Sequence, residues 1–114
     1  MINIVYTNSK CKDVLDIFID QHQKFCDLPL FTISDERGDH TYNNQDPYYV
    51  HWLDALKKVK EDFFIYNQED FILYDKVNTS ELERLKEFMV NNPRYSFARL
   101  IRSGQNLPLT PIEP

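Results

Sequence analysis

The fold is decided by residues 2–33, INIVYTNSKCKDVLDIFIDQHQKFCDLPLFTI. Residues 2–6 are a short β-rich run that ends in small polar side chains suited to capping a helix. Residues 12–25 then place apolar side chains at helical spacing, with charged side chains largely on the other face. Pro29 ends this pattern, and residues 30–33 form a second apolar run. The segment therefore predicts a strand, a helix and a second strand.

The middle of the chain predicts a second helix and a third strand. Residues 37–45 have no apolar periodicity, which is typical of a loop. Asp46 and Pro47 then suit the N-cap and the first turn of a helix. Residues 63–66 are apolar on both faces, which favours a central strand covered on each side. The expected buried stripe of the helix consists of Tyr49, Trp52, Leu53, Leu56 and Val59.

The last third of the chain predicts one more helix and one more strand. Residues 71–74 are an apolar run that follows a polar interruption. Ser80 and Glu83 match a capping box, which predicts the start of a third helix. Residues 95–101 predict a last strand, whereas residues 106–114 are a tail too rich in proline for a regular element.

Strands separated by helices predict an α/β fold, here a three-layer sandwich with a mostly parallel central sheet. The 114 residues allow one domain, which we place at residues 1–105. Ligands of such sheets bind outside the carboxyl ends of the strands. The candidate binding residues are therefore the polar side chains at the predicted strand ends, namely Thr7, Asp35, Glu69 and Asp70.

The composition excludes several classes of function. The chain has only two glycines, so it cannot form the Gly-rich phosphate loops of P-loop or dinucleotide-binding proteins. Its net charge is −5 and it has no Lys/Arg-rich block, which argues against a nucleic-acid partner. No apolar run approaches the roughly 18 residues of a membrane span, and the first residues do not resemble a secretory signal. We therefore expect a cytoplasmic protein.

The two cysteines are expected to be free thiols. Cys11 and Cys26 lie near opposite ends of the first predicted helix, which separates them by about 22 Å and puts them beyond the reach of a disulfide. His22 and Cys26 are one helical turn apart and could share a metal, but two such ligands without a further cluster do not make a zinc site.

Glu69 and Asp70 are the most suggestive pair, because they stand between two apolar runs at a predicted strand end. Adjacent carboxylates can hold Mg²⁺ or Mn²⁺, which prefer oxygen ligands and complete their coordination with water and substrate phosphates. A β-hairpin explains the same pattern: residues 63–66 and 71–74 would be antiparallel strands joined by a four-residue turn. From the residues alone, both interpretations stay open.

Asp35 and Thr7 have structural alternatives of the same kind. Asp35 follows the second predicted strand, where a carboxylate can bind a base or a ribose hydroxyl, but Ser and Asp also open turns. Thr7 and its two polar neighbours suit a helix cap as well as a ligand contact.

One long stretch resembles a known family. Residues 52–73, WLDALKKVKEDFFIYNQEDFIL, are followed by a predicted helix and by Phe97-Ala98-Arg99-Leu100. This run resembles the nucleotide-diphospho-sugar transferase (GT-A) fold. It is most similar to family-2-like glycosyltransferases that have a Trp-x-x-x-Leu helix, an apolar strand and a Glu-Asp in place of the Asp-x-Asp motif. The resemblance covers about residues 2–102, since the first strand ends in Thr7 and the second in Ser34-Asp35.

The resemblance implies a binding site for a nucleotide-diphospho-sugar. It implies that Asp35 lies near the base and Thr7 beside the nucleotide. Glu69 and Asp70 would hold the ribose and the metal-bound diphosphate, with Mn²⁺ or Mg²⁺ as the metal. Gln68 occupies the place of the first Asp of an Asp-x-Asp motif. The complete enzyme would transfer a sugar to an acceptor hydroxyl, and no residue here is assigned as the catalytic base.

The length of the chain suggests a second hypothesis. Family members continue beyond the metal motif with elements that bind the acceptor, whereas this chain ends just past its last predicted strand. It is therefore expected to be the nucleotide-binding part alone, or a short form that completes its sheet as a homo-oligomer. Alternatively, it is an inactive binding or assembly module in which Glu69 and Asp70 are only turn residues.

Overall fold

The computed structural model describes residues 1–100, which contain four strands and three helices. A three-residue 3-10 turn, Ser9–Cys11, leads into the first helix. The elements in chain order are β1 (Ile2–Tyr6), α1 (Lys12–Phe25), β2 (Leu30–Ser34), β3 (His40–Thr41), α2 (Tyr48–Leu56), β4 (Phe64–Gln68) and α3 (Thr79–Asn91).

The four strands form one parallel sheet in the order β3-β2-β1-β4. The register places Asn3 opposite Leu30 on one side of β1 and opposite Ile65 on the other. The α/β prediction is therefore confirmed at this level. The predicted tail and the end of the last predicted strand lie outside the described residues.

Helices α1 and α2 cover opposite faces of the sheet, because successive side chains of β1 point to opposite sides. Ile2 and Ile4 belong to the buried cluster that includes Trp52 and Ala55 of α2. Val5 instead packs with the α1 side chains, in a cluster with Leu15 and Phe18. The apolar stripe predicted for α1 is thus the one that meets the sheet.

The connection between β2 and β3 lies at one edge of the sheet. Strand β3 lies inside the stretch that the sequence predicts as a loop and has only two residues. Next to it, the Asp39 carboxylate accepts the backbone N–H of Thr32 at 2.8 Å, so a side chain continues the pairing that the short strand leaves incomplete. Gly38 has φ +128, and a Cβ there would meet the Thr32 carbonyl oxygen at 2.9 Å, which explains the glycine.

Strand β4 lies at the other edge, so the prediction of a central strand is wrong. Its residues are alternately exposed and half-buried, and Phe64 and Tyr66 are 40% and 41% exposed. The strand also runs two residues further than expected, because the amide of Asn67 bonds to Asn3 across the sheet. The sequence pattern missed this, since a polar side chain on a strand face looks like an interruption.

Within the described residues, the strand predicted at residues 95–101 and the strand that the β-hairpin interpretation requires at residues 71–74 are not formed. Residues 71–74 form no strand, which removes the β-hairpin interpretation, and residues 95–100 form none either. After β4 the chain returns past the end of α1, where the N–H of Val77 donates to the carbonyl of Phe25 at 2.7 Å. Apolar content alone therefore does not make a strand.

The starts of two helices differ from prediction. Helix α2 begins at Tyr48 with Pro47 as its N-cap, one residue later than expected and without a side-chain cap. Helix α3 begins at Thr79 because Asn78 accepts the N–H of Glu81 at 3.2 Å, so the expected capping box at Ser80 does not form. Asn78 and Glu81 have the same three-residue spacing as that box, two residues earlier.

Candidate functional site

The strand order reverses between β1 and β4. From β1 the chain moves to β2 and β3 on one side, and then crosses to β4 on the other side of β1. The loops that follow β1 and β4 lie next to each other at the carboxyl edge of the sheet, where Glu69 is near Cys11. In open α/β sheets this reversal point is where ligands bind.

Thr7 lies inside this edge rather than on its surface. The residue is only 1% exposed, and its N–H donates to the carbonyl of Ile33 at 2.9 Å. Its own carbonyl accepts the hydroxyl hydrogen of Tyr42 at 2.8 Å. Thr7 thus fixes the exit of β1 against the β2 side of the sheet and offers little surface to a ligand.

Three backbone amides in the turn after Thr7 already have acceptors. The side chain of Asn8 accepts the N–H of Lys10 at 2.8 Å, and the Asn8 carbonyl accepts that of Cys11 at 3.0 Å. The N–H of Ser9 donates to Asp35 Oδ1 at 2.7 Å. A phosphate would find these donors already engaged.

Asp35 is the carboxylate that holds this turn. Besides the Ser9 N–H, it accepts the Ser9 hydroxyl at 3.1 Å and the Asn44 amide at 2.9 Å. The hydrogen bond from Asn44, together with those from Ser9, lowers the pKa of Asp35. Asp35 therefore joins the loops that follow β1, β2 and β3, and does so as an anion.

Glu69 and Asp70 form the turn that follows β4. The N–H of Phe71 donates to the carbonyl of Gln68 at 3.0 Å, which closes the turn around the two acids. Asp70 is exposed, and Glu69 is half-buried on the side of the β1 loop. A hydrogen bond to the Glu69 carboxylate is the main cause that raises the pKa of the Cys11 thiol, with smaller effects from burial and from the negative charges of Glu69 and Asp70.

The structure thus brings the predicted site residues to one edge, with the turn Ser9–Cys11 between them. Asp35 contacts this turn through Ser9, and Glu69 contacts it through Cys11. Among the described residues, no group of three or more His, Cys, Asp or Glu side chains is placed to hold a metal ion. Two adjacent carboxylates fit a cation whose other ligands come from a substrate and water, and do not fit a metal held by protein alone.

An aromatic cluster beneath the edge was not predicted from the sequence. Tyr6, the last residue of β1, stacks on Tyr42 with ring centroids 5.2 Å apart, and its hydroxyl bonds to His51 Nδ1 at 2.9 Å. His51 Nε2 lies 2.9 Å from the carbonyl of Asn43 and must donate to it. Nδ1 is therefore the acceptor, and Tyr6 is the donor. Once Tyr6 is assigned to the end of β1, the period-2 pattern places it on the α2 face, but its partners come from α2 and the loop before it, which are distant in sequence.

Two half-exposed tyrosines lie over this cluster. Tyr48 is 52% exposed and packs edge-on against Tyr6, with centroids 4.9 Å apart. Tyr66 is 41% exposed and lies against Trp52, with centroids 5.4 Å apart. Burial is the main cause that raises the pKa of Tyr66, and the neighbouring Tyr48 hydroxyl raises it further. We call these two side chains the aromatic rim.

His22 and Cys26 share an amide instead of a metal. The Nδ2 of Asn3 lies 2.9 Å from His22 Nε2 and donates to Cys26 Sγ at 3.2 Å, while Asn3 Oδ1 accepts from Asn67 at 3.1 Å. Because an amide nitrogen only donates, His22 accepts and is neutral. Burial also lowers the pKa of His22, which favours the neutral form of the ring. Both cysteines are free thiols, as predicted.

Comparison of the chain with family models, curated proteins and solved structures found no match. In the part of the chain that the structure describes, none of the helices is long and apolar enough to cross a membrane. The assignment of a function therefore rests on the sheet order and on the side chains at its carboxyl edge.

Proposed function

We propose that this chain binds a nucleotide-diphospho-sugar at the carboxyl edge of its sheet. The observation that supports it most is the strand order, which reverses between β1 and β4 and places Asp35 and the acidic turn on either side of the β1 loop. The proposal includes the finer fold, a Rossmann-like sandwich of the nucleotide-diphospho-sugar transferase type. In a complete enzyme, the reaction would be sugar transfer to an acceptor hydroxyl.

Charge at this edge favours a metal-dependent mode of binding. The turn after β1 already has a carboxylate on it, and Glu69 and Asp70 add two more acids. A diphosphate placed there meets negative charge, and the amides of Ser9, Lys10 and Cys11 are already engaged, so a divalent cation between the diphosphate and the carboxylates favours binding. Mg²⁺ or Mn²⁺, held by Glu69 and Asp70, would neutralise the charge that grows on the leaving diphosphate.

A thermal-shift screen tests the proposal. Uridine, guanosine and thymidine diphosphates are each added with and without Mn²⁺. At 100 times its dissociation constant, a ligand of the native state adds about 2.7 kcal/mol to the free energy of unfolding. We expect one of the three to raise the melting temperature, and only with the metal. A folded sample that none of them stabilises would contradict the proposal.

Paired variants identify the site. The double variant Glu69→Gln, Asp70→Asn removes both carboxylates from the turn and should abolish the metal-dependent shift. The matched control is Glu61→Gln, Asp62→Asn, another adjacent acidic pair that is exposed and precedes β4. Equal loss in both variants would show a general charge effect instead of a site.

Among residues 1–100 no strand pairs with the outer edge of β4, which favours a second candidate, an assembly module that pairs its sheet with another copy. β4 has five residues, none of them charged, glycine or proline, which are the usual protections of an edge strand. The opposite edge is covered by β3 and Asp39. Light scattering across a wide range of protein concentration tests this candidate, since a monomer at every concentration would contradict it.

A further inference from the structure

The aromatic rim is built to hold a ligand with one apolar face. Tyr48 and Tyr66 each rest on a ring of the inner cluster, Tyr6 and Trp52 respectively, which restricts their orientation although about half of each is exposed. A ring that is held in place loses little entropy when a ligand stacks on it. Phe64, which is 40% exposed, also stacks on Trp52, but it has no hydroxyl, and Tyr49, at 64%, has no aromatic partner in the described chain.

The rim also has polar groups at its edge. The amide of Gln68 donates to the Tyr66 hydroxyl at 2.9 Å, and the Tyr48 hydroxyl lies beside it. Exposed ring faces with hydroxyl and amide groups around them match a pyranose, which has C–H groups on its faces and hydroxyls around its perimeter.

The position of the rim along the edge agrees with the order of groups in the proposed ligand. Asp35 follows β2, the turn Ser9–Cys11 follows β1, and the rim residue Tyr66 lies on β4, the third strand in this row. Neighbouring strands are about 4.8 Å apart, so a ligand that crosses three of them extends about 10 Å. A base at Asp35 and a diphosphate at the turn Ser9–Cys11, with its cation on Glu69 and Asp70, leave the sugar over β4.

We propose that Tyr48 and Tyr66 form the sugar subsite of this site, with the pyranose ring stacked on the aromatic rim and its hydroxyls bonded to Gln68 and the two phenols. This inference rests on the proposed function, because the order of base, diphosphate and sugar along the sheet edge comes from the proposed ligand. It predicts that the rim contributes to binding of the sugar and not to binding of the nucleotide.

Titration calorimetry with Mg²⁺ tests the subsite. The probes are UDP and UDP-glucose, and GDP and GDP-mannose. For the pair that binds, the ratio of the two dissociation constants measures what the sugar adds. Tyr66→Leu and Tyr48→Ala should each reduce this ratio by about threefold to tenfold, the usual effect of one aromatic contact, and leave binding of the nucleoside diphosphate unchanged. Tyr66→Phe keeps the ring and should lose less.

The controls are Tyr49→Ala and Tyr74→Ala, which truncate exposed tyrosines outside the rim and should leave the ratio as in the parent protein. Circular dichroism confirms that each variant is folded. If the rim variants weaken binding of nucleoside diphosphate and nucleotide sugar equally, or change neither, the subsite is refuted while the proposed function stands. If the parent protein binds neither these four probes nor thymidine diphosphate, both proposals fail.

Discussion

Asp35 shows at the scale of one residue how a predicted ligand contact is also a structural group. The sequence places it at a strand end, but the three donors that it accepts come from Ser9 and Asn44, which are far apart in sequence. Turn preferences cannot reveal such partners, because they describe neighbours along the chain. Asp35 can bind a ligand only through the oxygen lone pairs that these hydrogen bonds leave free.

Asp35→Asn should therefore destabilise the fold. The substituted amide cannot accept all three hydrogen bonds, so we expect the free energy of unfolding to fall by about 1–2 kcal/mol in urea titrations. Asp16→Asn is the control, since Asp16 forms only an exposed ion pair with Arg37 and its loss should change stability by less than about 0.5 kcal/mol. Equal effects of the two variants would show that Asp35 does not hold the loops.

Two buried histidines predict a loss of stability in weak acid. Burial lowers the pKa values of His22 and His40 in the folded state, whereas in the unfolded chain they titrate near their usual value of about 6.5. Below that pH the unfolded state binds more protons, so the free energy of unfolding falls as the pH decreases through the folded pKa values. Urea titrations at pH 7.5 and pH 5.0 should show this difference.

The variant His22→Gln separates the two histidines. A glutamine oxygen can still accept the Asn3 amide, but it does not titrate, so the difference in stability between the two pH values should shrink. The double variant with His40→Gln should shrink it further. His40 lies near Lys58, whose charge lowers its pKa, and near Asp54, whose charge raises it. An unchanged difference in the double variant would assign the acid sensitivity to carboxylates.

At the scale of elements, the helices were predicted best where a full apolar stripe meets the sheet. Helix α1 has the predicted bounds, and its buried side chains include Leu15 and Phe18. Helix α2 is where the prediction is partly wrong, because its buried residues are His51, Trp52 and Ala55, while Tyr49 and Leu53 are exposed. The sequence has apolar residues on both sides of this helix, so periodicity alone could not choose the buried side.

Substitutions can test which face of α2 is buried. Ala55 is fully buried, so Ala55→Leu should overpack the core and cost about 1–3 kcal/mol of stability. Leu53→Ala removes a larger side chain, but one that is 56% exposed, and should cost less than about 1 kcal/mol. Chemical denaturation of both variants shows which substitution lowers the free energy of unfolding more. The reverse order would show that the stripe predicted from the sequence is the buried one.

The start of α3 depends on one side chain. Asn78→Ala removes the acceptor of the Glu81 N–H, and the loss of such a cap costs about 1 kcal/mol. Because α3 has no buried residue, the effect should appear as faster amide hydrogen exchange in its first turn. Ser80→Ala is the matched control and should leave exchange nearly unchanged. Faster exchange only in the Ser80 variant would support the capping box predicted from the sequence.

At the scale of the whole molecule, the alternation of strands and helices predicts the class of fold, but not the positions of strands in the sheet. β4 is apolar enough for a central strand and yet lies at an edge. The place of a strand depends on the hand of each crossover and on which neighbours remain available. The reversal of the strand order between β1 and β4 follows from that arrangement, and so does the position of Glu69 beside the β1 loop.

The most direct test of the central claim is to locate the bound ligand on the sheet. The ¹⁵N-labelled protein is titrated with UDP, GDP or thymidine diphosphate in the presence of Mg²⁺, and amide chemical shifts are followed. We predict that the shifts of Ser9–Cys11, Asp35 and the turn of Glu69 and Asp70 change with one of these nucleotides, while those of Leu30 and Phe64 at the amino ends of the strands do not. Changes confined to the amino edge or to α3, or no change with any of the three, would contradict a nucleotide site at the carboxyl edge.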